Sequence, residues 1–322
     1  MLTQPHPPTE PTISLLKFLW LELTGRCNLS CGHCYASSSP QGTHGTMTLQ
    51  DWQQVITDAA ALGASDVQFI GGEPTLSPLL PLLIRFASHL DLQVEVYSNL
   101  VSVRPALWEI FSECQVRLAT SFYSPQAQIH EEITQGRHSF EKTVTHIRRA
   151  VELGLPLRVG MVKLRPDQDL AEAERLLRDL GVQRIGSDRV RGVGRGARLV
   201  EESPVSALCG RCLAQRCAIT PYGVVYPCIM ARSHPLGNVR DQRLEEILAG
   251  PVMAQTKREL IAAFRARTPR STSCEPNECD PDVNPGDCDP ECDPQVWPPC
   301  PPDCCPATVS GCEPDECDPD VK

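Results

Sequence analysis

From Lys17 to Ser187 the chain alternates short apolar runs with longer segments of helical periodicity. That alternation limits its architecture more than any other feature. The apolar runs Lys17–Leu23, Val67–Ile70, Gln93–Tyr97, Val116–Ser121, Leu157–Met161 and Gln183–Ser187 read as strands. Between them, the first helix opens at Thr48, with Asp51 three residues on. It carries Val55, Ile56, Ala59, Ala60 and Leu62 at helical spacing and closes at Gly63. Further helices are expected over Pro78–His89, Pro105–Phe111, Ser139–Leu153 and Gln168–Leu180. Strands alternating with helices pair in parallel through right-handed crossovers. Six such units suit an α/β fold, either a partial barrel or a doubly wound sheet. In both, functional residues sit at the C-terminal ends of the strands.

The loop after the first strand contains Cys27, Cys31 and Cys34 in a C-x3-C-x2-C spacing. Three thiolates on one short loop do not complete a four-coordinate site. They can hold three irons of a 4Fe–4S cluster and leave the fourth open to a substrate or cofactor. A zinc knuckle borrowing a fourth ligand, or buried cysteines without metal, are the competing readings of the spacing alone. After the second strand comes Gly71-Gly72-Glu73-Pro74, where adjacent glycines would let a ligand approach the backbone and Glu73 offers a carboxylate to an amine. Ser98 and Asn99 follow the third strand, and Ser121 lies on the fourth. Singly these say little, but all fall at the same end of the sheet.

The two motifs together resemble those of the radical S-adenosylmethionine (radical SAM) enzymes. Cys27-x3-Cys31-x-His33-Cys34 matches the family's cluster motif, with His33 in its aromatic position, and Gly71–Pro74 matches the motif after the second strand. The resemblance covers roughly residues 17–190 and implies a partial (β/α)6 TIM-like barrel. It implies that Cys27, Cys31 and Cys34 bind a 4Fe–4S cluster whose open iron chelates S-adenosylmethionine. One electron, from a donor such as flavodoxin or ferredoxin, then gives methionine and a 5′-deoxyadenosyl radical that abstracts a substrate hydrogen. By the same resemblance Gly71, Gly72, Glu73 and Pro74 meet the methionine moiety, and His33 lies against the adenine. Ser98, Asn99 and Ser121 contact the ribose or carboxylate, although Ser98-Asn99-Leu100 departs from the commoner polar-Asn-Gly form.

A second block of thiols, Cys209, Cys212, Cys217 and Cys228, surrounds a hairpin read over Ala218–Cys228 with its turn at Pro221–Gly223. Taken alone these four also suit zinc. Cys209 or Cys212, followed by Gly223-x4-Cys228, resembles the opening half of the SPASM or twitch extension, which holds auxiliary 4Fe–4S clusters. Leu236–Val239 and a short helix over Leu244–Leu248 continue that resemblance. Cys114, before the fourth strand, reads as a core residue.

The domain plan is therefore a lead-in over 1–16, a barrel over 17–200, an auxiliary-cluster domain over 201–270, and a tail over 271–322. The tail holds nine of the 17 cysteines, 12 prolines and 14 Asp/Glu against one lysine. The body before it is near neutral, with 29 Lys/Arg against 26 Asp/Glu. So poor in apolar side chains, the tail builds no core of its own unless metal folds it. One auxiliary cluster is expected, and the tail cysteines are open as ligands of a further one.

Without a signal peptide or a membrane-length apolar run, the chain reads as cytoplasmic, where cysteines serve metals rather than disulfides. A near-neutral body without aromatic interleaving argues against nucleic-acid binding. The expected function is radical modification of a ribosomally made peptide, by crosslinking, epimerisation or oxidation. A sugar or other small metabolite is the alternative substrate, and an inactive metal-binding scaffold the alternative of another class. Only 26 residues precede Cys27, so leader recognition falls to a separate protein or to the basic glycine-rich loop Arg189–Arg198.

Overall fold

A computed structural model describes residues 16–266, except 211, 213 and 214. The expectations for the tail, and for most of the lead-in, lie outside these residues. Six strands appear where the apolar runs placed them: β1 (Phe18–Thr24), β2 (Asp66–Gly71), β3 (Gln93–Tyr97), β4 (Arg117–Phe122), β5 (Leu157–Lys163) and β6 (Arg184–Arg189). Each pairs in parallel with the next, in the unbroken spatial order 1 to 6. A doubly wound sheet would reverse direction partway. This one winds one way only, and β6 does not return to β1, which makes it an open barrel.

The helices α1 (Leu49–Ala61), α2 (Leu80–His89), α3 (Pro105–Glu113), α5 (Ser139–Glu152) and α6 (Leu170–Asp179) fill the crossovers. Thr48 caps α1 as expected, its hydroxyl accepting from the Asp51 N–H while the Asp51 carboxylate accepts from the Thr48 N–H. Strand alternation turns Leu19, Leu21, Phe69, Val94, Val96 and Leu118 toward the helices, where they pack with Trp52, Ile56, Ile84 and Phe111 in one core. The opposite face is polar. There Arg158 grips Glu95 through two 2.8 Å hydrogen bonds, and Tyr97 meets Ser121 at 3.0 Å.

The expected hairpin forms as β7 (Arg216–Ile219) and β8 (Val224–Tyr226), with a short β9 (Gly237–Asn238) beyond it. Gly223 turns it at φ +83°, where a Cβ would lie 2.4 Å from the Asn238 Oδ1. The structure adds a pairing that sequence periodicity could not supply. β7 lies parallel to the free side of β1, with Leu19 opposite Cys217, so the auxiliary segment continues the barrel sheet. The chain closes with α7 (Leu244–Ala249) and α8 (Pro251–Ala266). Leu260 of α8 joins Leu208, Cys212, Cys228 and Ala231 in a second small core, with Trp20 and Phe264 against it. Cys114 is half-buried and packs against the main core.

Helix α4 (Ala127–Thr134) was not legible in the sequence, because Gln126 gives no side-chain cap and only eight residues carry the periodicity. It inserts His130, 1% exposed, among the rings of Phe122, Tyr123 and Phe140. Burial lowers the His130 pKa from 6.5 to about 4. Between those values the unfolded chain binds the proton and the folded one refuses it. Stability is therefore full above pH 6.5 and drains as pH falls toward about 4. Replacing His130→Phe should flatten this slope in urea titrations run across that window. An unchanged slope would locate the acid sensitivity elsewhere.

Candidate functional site

The cysteine loop leaves the end of β1 with no regular structure of its own, and its neighbours fix it. Thr24 begins the turn, its hydroxyl accepting from the Arg26 N–H at 2.9 Å. On one side Gly25 N donates to Thr43 O and Cys27 N to Ser39 O. On another, the Ser30 and Gly32 amides donate to the carbonyls of Thr134 and Ile133, acceptors left over at the end of α4. Leu29 and Val101 pack against Cys27 and Cys31.

The loop after β2 runs alongside. Gly72 N donates to Thr24 O at 2.7 Å and Glu73 N to Arg26 O at 2.9 Å. A Cβ on Gly72 would stand 2.2 Å from Arg26 O, and one on Gly71, at φ +123°, 2.7 Å from Thr24 O. The glycine pair thus admits the backbone of the cysteine loop itself, where the sequence reading placed a ligand.

Glu73 has protein partners that its sequence context did not indicate. Its carboxylate is fully buried. Oε1 accepts from the Thr75 N–H, the Thr75 hydroxyl and the Ser98 hydroxyl, and Oε2 from the Asn99 N–H at 2.8 Å. Burial raises its pKa and these donors pull it back. In this arrangement the carboxylate ties the β2 and β3 loops together. Pro74 opens the 3-10 turn that follows. Ser98 is spent on Glu73, while Asn99 reaches on to the cysteine loop. Its Nδ2 donates to Asn28 Oδ1 at 2.7 Å and lies 3.7 Å from Cys27 Sγ.

The three thiols suit an iron–sulfur cluster in their chemistry. Burial, then the charge of Glu73, pushes Cys27 up to about 12. Burial, then the neighbouring Cys34 and Cys27, does the same to Cys31. Among the described residues the three do not close around a single metal ion, and three thiolates on one loop call for a group that brings its own positive charge, as iron does. His33 lies beside them, its Nε2 3.1 Å from the Tyr123 hydroxyl. Its Nδ1 is buried and finds no hydrogen-bond partner among the described residues, as expected of an atom awaiting a ligand. Burial, and the Arg195 charge, lower its pKa to about 4 and leave the ring neutral. Ser121 stands one strand away, bonded to Tyr97. Tyr123 carried no motif, and only the fold brings it to His33.

The second block divides. Cys212 and Cys228 meet with sulfurs 3.4 Å apart, and the Cys212 contact draws Cys228 down to about 7. Cys217 turns the other way on β7, into the helix-facing core beside Leu19, where burial lifts it to about 12. Cys209 is exposed. Strand alternation is what parts Cys217 from the others. Between this block and the first loop stands Arg232. It pairs with the buried Glu22 of β1, and its guanidinium lies 5.5 Å from the Tyr35 ring and 5.2 Å from that of Tyr226.

Gly72→Ala should displace the cysteine loop, with a stability loss of about 1–3 kcal/mol and a drop in iron retained after reconstitution. Gly32→Ala, whose Cβ would meet no atom within 4 Å, is the matched control for stability. Equal losses in urea denaturation would show that close approach at Gly72 is not the constraint.

Comparison with known proteins agrees with this geometry. The family model for the radical SAM superfamily matches residues 21–180. A model described as an iron–sulfur cluster-binding domain, SPASM, matches residues 209–280, a span that takes in Cys274 and Cys279 as well as the second block. The chain is 23% identical over 294 residues to the antilisterial bacteriocin subtilosin biosynthesis protein AlbA of Bacillus subtilis, across 80% of this chain and 64% of AlbA. It is 27% identical over 183 residues to a PqqA peptide cyclase of Bradyrhizobium diazoefficiens, across 55% of this chain and 47% of the cyclase. The chain thus spans about half to just under two thirds of these relatives. In fold it is similar to Streptococcus suis SuiB, solved with S-adenosylmethionine, at TM-score 0.64 and 14% identity over 76% of this chain and 68% of SuiB. SuiB has also been solved with its precursor peptide SuiA. Among the described residues no helix is long and apolar enough to cross a membrane. From the open barrel, the pinned cysteine loop and these two matched models, the chain belongs to the radical SAM superfamily, whose cofactors are 4Fe–4S clusters and S-adenosylmethionine.

Proposed function

We propose that this chain modifies a ribosomally synthesised peptide, with a hydrogen abstracted at the C-terminal end of the open barrel. The observation that carries the reading is that Cys27, Cys31 and Cys34 share one loop, pinned by Gly72 and Glu73 of the Gly71–Pro74 segment. A second thiol pair, Cys212 and Cys228, stands behind the same strand β1. When bound, the cluster and S-adenosylmethionine supply a 5′-deoxyadenosyl radical by one-electron cleavage of a carbon–sulfur bond. The protein's part is to bind, orient and exclude water. Gly71 and Gly72 hold the cluster loop at a fixed distance from β2, and Glu73 with Ser98 and Asn99 keeps the strand ends in register around the cofactor. His33, neutral and with a free Nδ1, presents that nitrogen to the adenine. Ser121 and Tyr97 offer hydroxyls on the polar barrel face.

Support for a peptide comes from the relatives, one named for bacteriocin biosynthesis and another as a peptide cyclase, and from SuiB bound to a precursor peptide. These are associations of family, while the site geometry speaks to the radical chemistry. The basic loop Arg189–Arg198 is a poor leader receptor. Arg189 is paired with Glu202, Arg191 with Asp188, and Arg195 with main-chain carbonyls of the cysteine loop. Recognition by a separate protein fits better, alongside an electron donor of the flavodoxin or ferredoxin kind. For the auxiliary site we place Cys212 and Cys228 as ligands. Cys209 and Cys217 are left out.

Anaerobically reconstituted protein given S-adenosylmethionine and a reductant should release 5′-deoxyadenosine, and Cys27→Ala should abolish it. Adding a Cys-, Tyr- or Ser-rich peptide encoded beside this gene should raise that release and remove hydrogen from the peptide in mass spectra. Stimulation by a sugar with none by peptide would overturn the substrate assignment.

Iron counts give an independent check on the second site. Cys212→Ala should lose about four irons per chain, one cluster, while Cys209→Ala and Cys217→Ala keep theirs. A loss in Cys217→Ala equal to that in Cys212→Ala would contradict the division of the block.

A further inference from the structure

The glycine-rich turn after β6 is built onto the cysteine loop. Arg195 meets that loop, some 160 residues away in sequence, with three donors. Its main-chain N–H donates to Cys34 O at 3.0 Å. Its Nε donates to Cys31 O, and its Nη2 to Ser38 O, each at 2.8 Å. Gly194 allows this approach, and Gly196 lets the turn close on itself. Gly194 sits at φ +59°, where a Cβ would stand 2.2 Å from Tyr35 O and 2.5 Å from Cys34 O. On Gly196 a Cβ would stand 2.2 Å from Arg191 O and 3.3 Å from His33 O. No side chain fits at either position while the turn stays in contact with the loop.

What Arg195 grips is also informative. Two of its three acceptors are the carbonyls of the cysteines themselves, Cys31 and Cys34, and the third, Ser38, lies just beyond. A planar guanidinium holding two carbonyls at once fixes both the spacing and the orientation of the backbone between them. The turn is braced from behind, because Gly192 N donates to Glu202 Oε2 at 2.9 Å and Arg191 Nη1 to Ala207 O at 3.0 Å. That bracing segment leads directly toward Cys212.

We infer that Arg195 is the positioning residue of the cysteine loop. Its fork and main-chain N–H hold the backbone of Cys31 and Cys34 in the geometry that takes up the cluster. The inference rests on Cys27, Cys31 and Cys34 being the cluster ligands. It assigns to the Gly194-Arg195-Gly196 turn a role in holding the cofactor.

The test uses full-length protein reconstituted with iron and sulfide, read by chelator competition and by the change in the cluster's electron paramagnetic resonance signal on adding S-adenosylmethionine. Only a cluster with an open iron gives that change, so it isolates this site from any auxiliary one. Arg195→Gln should hold the S-adenosylmethionine-responsive iron about 10–100-fold more weakly, in line with the loss of an outer-shell partner of a metal ligand. Arg195→Lys, keeping the charge but not the fork, should fall between it and the parent. Glu202→Gln loosens the same segment through Gly192 and Arg189 without touching the loop, and should retain iron as the parent does. An Arg195→Gln protein matching the parent in both readouts would overturn the inference. So would a Glu202→Gln protein losing iron as Arg195→Gln does, because the effect would then be general loosening of the segment. If Cys27→Ala kept the S-adenosylmethionine-responsive signal, the ligand assignment itself would fail instead, a result distinguishable from both.

Discussion

An irregular loop carrying three thiols stays in one conformation only if other elements fix its backbone, since it has no internal ladder of its own. Here the fixing is done almost wholly by main-chain hydrogen bonds. Thr24 and Arg26 accept from the amides of Gly72 and Glu73. The end of α4 accepts from Ser30 and Gly32, and Arg195 covers the carbonyls of Cys31 and Cys34. Each contact pairs a backbone group of the loop, a net gain of about 0.5–1.5 kcal/mol apiece. Glycine at 71, 72, 194 and 196 is the recurring condition, because backbones this close leave no room for a Cβ.

The electrostatics follow from the same packing. Buried acids on this side of the sheet are matched one by one: Glu22 with Arg232, Glu95 with Arg158, and Glu73 with four neutral donors. The thiols of Cys27 and Cys31 sit high because burial outweighs what Asn99, the Leu29 N–H and the Arg195 charge offer them. Arg232 binds the two cysteine sites into one frame by packing against Tyr35, the residue after Cys34, only four residues from Cys228. The pairing of β7 with β1 does the same at the level of the sheet. The auxiliary segment is thus an extension of the barrel, with no gap in hydrogen bonding between them.

Much of the fold was legible because it is periodic. The alternating apolar strands, the Thr48–Asp51 cap and the Pro221–Gly223 turn each express a local rule, and all appear within a residue or two of their expected bounds. Helix α4 was missed for want of a cap. The sequence places Glu73 in a ligand motif but cannot show that Thr75, Ser98 and Asn99 surround its carboxylate. The glycines of that motif were read as room for a ligand, and the structure shows in addition that the neighbouring loop approaches them too closely for a Cβ.

By itself, then, the sequence determined the chemistry available: three thiols on one loop, a glycine pair one strand along, and strand–helix repeats that bring both to the same end of a parallel sheet. Spacing along the chain decides these because neighbours in sequence are bound to be neighbours in space. The tertiary structure decided which groups are free. It turned Cys217 into the core and Cys212 toward Cys228, spent Glu73 and Ser98 on the scaffold, left the His33 Nδ1 open, and converted a basic loop into a clamp on the cysteines. Those outcomes depend on contacts between residues as far apart as 31 and 195, and on which face of a strand a side chain takes, and no local pattern encodes either.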